Sequence, residues 1–106
     1  MGVSVNEHLE SLYLTGVSTL ADSKKLEKLF VCMRNSKTLE FLSLGGIGFE
    51  AKGIALIRKV LFKQMPLRSL DLQNNAIDTF GFIKILSSLP VTIHTLDFSY
   101  NNIADN

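Results

Sequence analysis

Residues 67–77 read Leu67-Arg-Ser-Leu70-Asp-Leu72-Gln-Asn-Asn75-Ala-Ile77, so that leucines stand at the first, fourth and sixth positions. The alternation over Leu70 and Leu72 is typical of a short strand with one buried face. Asn75 follows where the chain must turn off the strand, and its side-chain amide can hydrogen-bond backbone groups that the turn buries. The stretch therefore predicts a buried strand that ends in a tight turn.

The leucine spacing of this stretch recurs three more times along the chain. Each copy reads L-x-x-L-x-L, with conservative replacements only in the last, and successive starts are 30, 28 and 26 residues apart. That distance accommodates one strand, one helix and two short connections, so it predicts a stack of repeated coils that share one interior. The four copies begin at Leu9, Leu39, Leu67 and Ile93.

Helices are predicted between the strands, because apolar residues recur there at helical spacing. The predicted stripes are Leu26-Leu29-Phe30-Met33, Gly53-Ile57-Leu61 and Gly81-Ile85-Leu89. Asp22 or Ser23 is the expected N-cap of the first helix. In the other two helices, we expect the glycine to let each helix approach its own strand closely. The third helix is expected around residues 80–89.

These features resemble leucine-rich repeats of the ribonuclease-inhibitor type. The resemblance rests on residues 67–77 with Gly81 after them, and on Phe98-Ser-Tyr-Asn101-Asn-Ile103, and it covers about residues 9–106. It implies an α/β fold, a right-handed solenoid with parallel strands on the concave face and helices on the convex face. We expect one domain over residues 1–106, with an incomplete fourth repeat and no polar caps.

The first two turns depart from this pattern. Val17 and Ile47 occupy the positions where the later repeats have asparagine. Neither side chain can hydrogen-bond the backbone, so we expect these turns to be completed in another way.

Composition and charge exclude several classes of function. The 106 residues are 46% hydrophobic and 20% charged, which is ordinary for one globular domain. A net charge of +1 supplies no strong field for nucleic acid, and the apolar runs are too short to span a membrane. No secretory signal is recognisable near Met1, and Cys32 has no partner for a disulfide. We therefore expect an intracellular, cytoplasmic protein without nucleic-acid or membrane partners.

The residues between the leucines are predicted to point outward from the sheet, in columns that run across the strands. Aromatic side chains come early in these columns and carboxylates come late, which suits a protein partner with an apolar anchor and a basic group. The predicted protein-binding residues of this concave face are Ser11, Tyr13, Phe41, Ser43, Asp71, Gln73, Thr95 and Asp97.

Two surfaces outside the sheet are also candidates for contact with another molecule. Phe82, Ile83 and Leu86 lie off the buried stripe of the third helix, which predicts an open-end or convex contact. On the second helix, Lys52, Lys59 and Lys63 fall near one another with Leu56 beside them. These lysines suit an acidic partner, although a solvated outer face is the simpler interpretation.

Catalytic, cofactor and metal chemistry find little support in the sequence. His94 with Asp71 and Asp97 is the only grouping with acid, base or ligand potential, and we interpret these residues as ordinary polar surface. Cys32 has no adjacent histidine and is expected to be a semi-buried structural thiol. We expect no enzyme activity, no cofactor and no metal.

The sequence therefore predicts a non-catalytic protein–protein interaction module, acting as a scaffold or as a subunit of a larger hetero-complex. The resemblance leaves one alternative open, a regulator of a GTPase of the activating-protein type. Arg68 and Asn102 are the nearest candidates for the polar finger that such a regulator would present.

Overall fold

The computed structural model describes residues 10–33, 38–49, 51–61 and 67–103. Four short strands lie within these ranges and form one parallel sheet in the order β1-β2-β3-β4. The strands are β1 (Ser11–Tyr13), β2 (Phe41–Ser43), β3 (Ser69–Asp71) and β4 (Thr95–Asp97). Each L-x-x-L-x-L segment thus contains one strand, as the sequence predicts.

The register of the sheet confirms the predicted equivalence of the leucines. Leu12 pairs with Leu42, Leu42 with Leu70, and Leu70 with Leu96 on neighbouring parallel strands. Leu42 and Leu70 are fully buried, whereas Leu12 and Leu96 at the two edges are only partly buried. One continuous core therefore runs through the coils, and its most deeply buried strand leucines lie on the two central strands.

In the part of the chain that the structure describes, three helices pack on the other side of this core, and a 3₁₀ turn (Ser18–Ala21) precedes the first of them. They are α1 (Ser23–Met33), α2 (Ala51–Leu56), which continues as a π-helical turn (Ile57–Leu61), and α3 (Thr79–Leu86). Asp22 is the N-cap of α1, because its Oδ1 accepts the Lys24 N–H at 2.9 Å. The predicted stripe of α1 is confirmed, since its four members are all buried.

Two helix predictions are wrong in detail. The spacing of four does not continue as an α-helix to Leu61, because the helix widens into a π turn at Ile57. The third helix ends at Leu86 and not at Leu89, because Ser87 is its C-cap and the next N–H groups, of Ser88 and Leu89, donate only three residues back, to the Ile85 and Leu86 carbonyls. Leu89 then lies in the following turn and still packs against the core.

The helical glycines make a different contact from the one predicted. A Cβ atom at Gly81 would lie 2.9 Å from Ile54 Cδ1 on α2 and 2.9 Å from Ile77 Cγ2, just after β3. A Cβ atom at Gly53 would lie 2.9 Å from Phe49 Cδ1. The glycines therefore make room for side chains that follow the strands and for side chains of the preceding helix, Ile54 at Gly81 and Leu26 at Gly53, and not for the strand backbone.

Gly81→Val is expected to destabilise the fold by about 3 kcal/mol, because the added methyl groups overpack buried Ile54 and Ile77. Urea denaturation followed by circular dichroism measures this change. Lys84→Val on the same helix is the control, since Lys84 is exposed and loses only about 0.5 kcal/mol of helix propensity. Equal effects of the two substitutions would contradict the close packing at Gly81.

Asn75 organises the turn after β3 and also completes the turn of the preceding coil. Its Oδ1 accepts the N–H groups of Ile47 and Gly48, both at 2.8 Å. Its Nδ2 donates to the carbonyls of Leu44 at 3.0 Å and Leu72 at 2.9 Å. The turn that contains Ile47 is therefore completed by the asparagine of the next repeat.

Asn101 repeats this arrangement one coil later. Its Oδ1 accepts the N–H groups of Asn75 at 3.0 Å and Ile77 at 2.9 Å, and its Nδ2 donates to the carbonyls of Leu72 and Phe98. The first turn, which has Val17 where the last two turns have asparagine, is closed by a backbone hydrogen bond from the Val17 N–H to the Leu14 carbonyl. Each asparagine thus joins two neighbouring coils.

Candidate functional site

The outward columns predicted for the sheet are present in the register of the strands. Ser11, Phe41, Ser69 and Thr95 form one row of paired residues. Tyr13, Ser43, Asp71 and Asp97 form a second row. We call these two rows, with Thr15 and Gln73 beyond them, the sheet face.

An aromatic pair occupies the β1–β2 end of the sheet face. The ring centroids of Tyr13 and Phe41 are 5.0 Å apart and the rings are tilted by 40°. Tyr13 is 69% exposed and Phe41 is half-buried. Because aromatic rings offer a large contact area with only two side-chain torsions to restrict, this partly exposed pair is suited to anchor a partner.

A chain of hydrogen bonds crosses the middle of the sheet face. Thr15 Oγ1 lies 2.6 Å from Ser43 Oγ, which donates to Asp71 Oδ2 at 3.0 Å. The same carboxylate accepts the backbone N–H and the side-chain amide of Gln73 at 3.0 and 3.1 Å. These contacts hold Asp71 in one orientation on the surface.

Ser43 differs from the sequence-based expectation of a residue available to a partner. It is only 2% exposed, because it lies in the middle of this hydrogen-bonded chain. Its hydroxyl donates to Asp71 and accepts from Thr15, so Ser43 positions the carboxylate and offers little surface of its own.

Asp97 forms the β4 end of the row of carboxylates. The hydroxyl and the backbone N–H of Ser99 hydrogen-bond this carboxylate and hold the pKa of Asp97 below its ordinary value. The ionised carboxylate therefore stabilises the fold above the ordinary pKa of aspartate. This contribution is lost as the pH falls through the lowered pKa of the folded state.

Ser99→Ala is expected to raise the pKa of Asp97 towards its ordinary value, since the hydroxyl bond is the largest cause of the shift. Carboxyl carbon chemical shifts followed by NMR during an acid titration measure this pKa directly. Thr95→Ala is the control, because Thr95 lies on the same strand and is not a cause of the shift. An unchanged pKa in Ser99→Ala would contradict this assignment.

The helix residues predicted as a contact surface are not equivalent. Phe82 is half-buried and packs edge-on against Phe98, with ring centroids 4.8 Å apart. Ile83 and Leu86 are exposed. Sequence reasoning missed Phe80, which is 76% exposed and is the most exposed large apolar side chain of α3. The sequence could have indicated the exposure of Phe80, because Phe80 lies off the buried Gly81-Ile85 stripe of the helix.

The remaining candidates of the sequence are spread over the molecule. His94 is exposed just before β4, and its backbone N–H donates to the Arg68 carbonyl at 2.8 Å. Arg68 and Asn102 are both exposed, and Cys32 is half-buried with a free thiol. Lys63 lies outside the described residues.

The potential metal ligands are dispersed over residues 10–33, 38–49, 51–61 and 67–103. No cluster of three or more histidine, cysteine, aspartate or glutamate residues in these ranges is arranged to hold a metal ion. Among the helices that the structure describes, none has the length and apolar character needed to cross a membrane.

Comparison with known families identifies the repeat in the later coils. The family model described as a leucine rich repeat matches residues 63–86 and residues 91–106, which contain β3 and β4. These matches, together with the parallel sheet and its helices, fit an α/β leucine-rich repeat fold. Leucine-rich repeats generally mediate protein–protein interaction and are generally non-catalytic. No curated protein and no solved structure matches the chain.

Proposed function

We propose that this chain is a non-catalytic protein–protein interaction module that binds its partner through the sheet face. The observation that carries the proposal is the contact of exposed Tyr13 with half-buried Phe41, which share one surface with the oriented Asp71 carboxylate. Apolar anchors beside fixed polar groups are the usual composition of a protein-binding hot spot. The leucine-rich repeat match in the later coils supports the same class of function.

The charges around the sheet face specify the chemistry of the partner. Glu10 and Glu40 precede β1 and β2, and Asp71 and Asp97 end β3 and β4. The strands with their flanking residues span 10–15, 40–45, 68–73 and 94–99. Within these ranges, Arg68 is the one lysine or arginine beside the four carboxylates. We therefore propose a protein partner that presents an apolar side chain to the aromatic pair and a basic group to the carboxylates.

We further propose that the chain is one domain of the ribonuclease-inhibitor-like subclass, wound as a right-handed solenoid with the sheet face concave. Right-handed crossovers are the rule between parallel strands of one sheet, which supports this handedness. A sheet of four strands is only about 14 Å wide at the usual strand spacing. Such a face is small for a stable complex, which favours a scaffold or subunit that contacts its assembly through further surfaces inside the cell.

The double substitution Tyr13→Ala with Phe41→Ala tests the proposal. Affinity capture from cell lysate, quantified by mass spectrometry, is expected to lose the specific partner with this variant. Removal of a fixed aromatic anchor weakens binding by about 2 kcal/mol or more, which is roughly thirtyfold in affinity.

Val91→Ala is the matched control, because Val91 is 99% exposed and is not one of the residues of the sheet face. This variant is expected to capture the same proteins as the wild type. If the double variant also captures an unchanged set of proteins while remaining folded by circular dichroism, the sheet face is not the binding surface.

A further inference from the structure

Charge is segregated between the two layers of the molecule. The strand side carries the carboxylates described above, whereas the three helices carry most of the cations. The helical cations are Lys24, Lys25, Lys28, Lys52, Arg58, Lys59 and Lys84, and the one helical carboxylate in the described residues is Glu27. The N-cap carboxylates Asp22 and Asp78 already accept N–H groups at the starts of α1 and α3. The helix layer is therefore basic although the net charge of the chain is only +1.

A groove lies between α1 and α2 within this basic layer. Ala55 and Leu56 contribute its apolar surface. Its remaining lining residues are Ser23, Lys24, Glu27, Lys52 and Lys59. Three ammonium groups thus surround a small apolar patch, and a single carboxylate interrupts them.

The apolar patch continues across α2 to α3. Ala55 also lines the depression between α2 and α3, together with Phe80, Arg58 and Lys84. Phe80 is 76% exposed, and the Arg58 guanidinium is held in place because its Nε donates to Ser88 Oγ at 2.7 Å. Leu56, Ala55 and Phe80 therefore form an apolar strip that runs from α2 to α3, with cations beside it and the Asp78 carboxylate also lining its α3 side. We call this surface the basic helix face.

We propose that the basic helix face docks an acidic, amphipathic segment of a partner protein. Its carboxylates would meet the lysines, and its apolar side chains would rest on Leu56, Ala55 and Phe80. Glu27 favours a peptide over a nucleic acid, since a uniform row of phosphates would be repelled by it, whereas a peptide can place an uncharged residue there. The face lies on the layer opposite the sheet face and has the opposite charge.

Fluorescence anisotropy with a short labelled peptide that repeats Glu-Glu-Ala-Leu tests this proposal on the whole chain. The wild type is expected to bind the peptide, and raising the salt from 50 mM to 500 mM is expected to weaken binding. Lys52→Glu with Lys59→Glu is expected to weaken binding at least about tenfold, because two attractive contacts become repulsive. Phe80→Ala is expected to weaken it about tenfold through loss of the apolar anchor.

Matched control variants distinguish binding at the groove from a general electrostatic attraction between the peptide and the basic helices. Lys25→Glu with Lys28→Glu produces the same change of net charge on α1, from +1 to −3, at residues that do not line the groove. This variant and Val91→Ala are expected to change the affinity less than about threefold, since neither touches the proposed contacts. Tyr13→Ala with Phe41→Ala is expected to bind the peptide as the wild type does, so failure of the sheet face and failure of this face are distinguishable.

Several outcomes would overturn the proposal. One is the absence of peptide binding by the wild type at millimolar concentration, and another is equal weakening by both pairs of charge reversals. Displacement of the peptide by equimolar oligodeoxythymidine would assign the face to nucleic acid. Self-association in sedimentation that only the Lys52 and Lys59 reversal removes would assign it to the acidic sheet face of a second copy.

Discussion

Asn75→Ala is expected to lower the free energy of unfolding by about 4 kcal/mol, one of the largest effects of any single substitution in this chain. Asn75 is 1% exposed and joins the N–H groups of Ile47 and Gly48 to the carbonyls of Leu44 and Leu72. Alanine replaces none of these bonds. Backbone groups in two adjacent coils would then lose their partners in places that water reaches poorly.

Urea denaturation followed by circular dichroism measures this loss, and two other asparagines calibrate it. Asn101→Ala is expected to cost about 2 kcal/mol, because Asn101 makes equivalent bonds but is only partly buried. Asn102→Ala is expected to change stability by less than about 0.5 kcal/mol, since Asn102 is exposed. If Asn75→Ala costs no more than Asn102→Ala, the asparagine does not join the coils.

Part of the hydrogen bonding of Asn75 could be predicted from the spacing of residues in the sequence, and part could not. The spacing from Leu72 predicts that Asn75 serves the turn of its own repeat, and the bond to the Leu72 carbonyl confirms it. The bonds to Ile47 and Gly48 belong to the preceding coil. These two bonds depend on how closely one coil stacks on the next. The sequence of a single repeat does not give that distance.

The strands were more predictable than the helices for a physical reason. In each strand a core leucine stands between two residues whose side chains point to the opposite face, so a shift of one residue would expose Leu42 or Leu70, and the pattern admits a single register. The end of a helix depends on capping and on local crowding. The π turn at Ile57 and the end of α3 at Leu86 were therefore not visible in the spacing of apolar residues.

Of the two candidate surfaces, the sheet face was more predictable from sequence than the basic helix face. The outward placement of Tyr13 and Phe41 on neighbouring strands follows from the alternation of side chains and was predicted from sequence, whereas the contact between their rings was not. The basic helix face was not, because a net charge of +1 sums opposite charges that the fold places on opposite layers. Lys52 and Lys59 were recognised on α2, but Lys24 and Phe80 join them only when α1 and α3 pack against α2.

Substitution of the equivalent leucines by alanine is expected to produce a gradient from the centre of the sheet to its edges. Leu42→Ala and Leu70→Ala should each cost about 4 kcal/mol, because both side chains are fully buried and each leaves a cavity between coils. Leu12→Ala and Leu96→Ala should each cost about 1.5 kcal/mol, since these side chains are partly exposed at the edges.

All four substitutions remove the same atoms from the same strand position, so each edge variant is a control for a central one. Chemical denaturation with a common slope allows the four free energies to be compared directly. A stack of coils that share one interior loses most where a coil has neighbours on both sides. Equal losses at Leu12 and Leu42 would instead mean that each coil is stabilised independently, and the leucines would then not form one core.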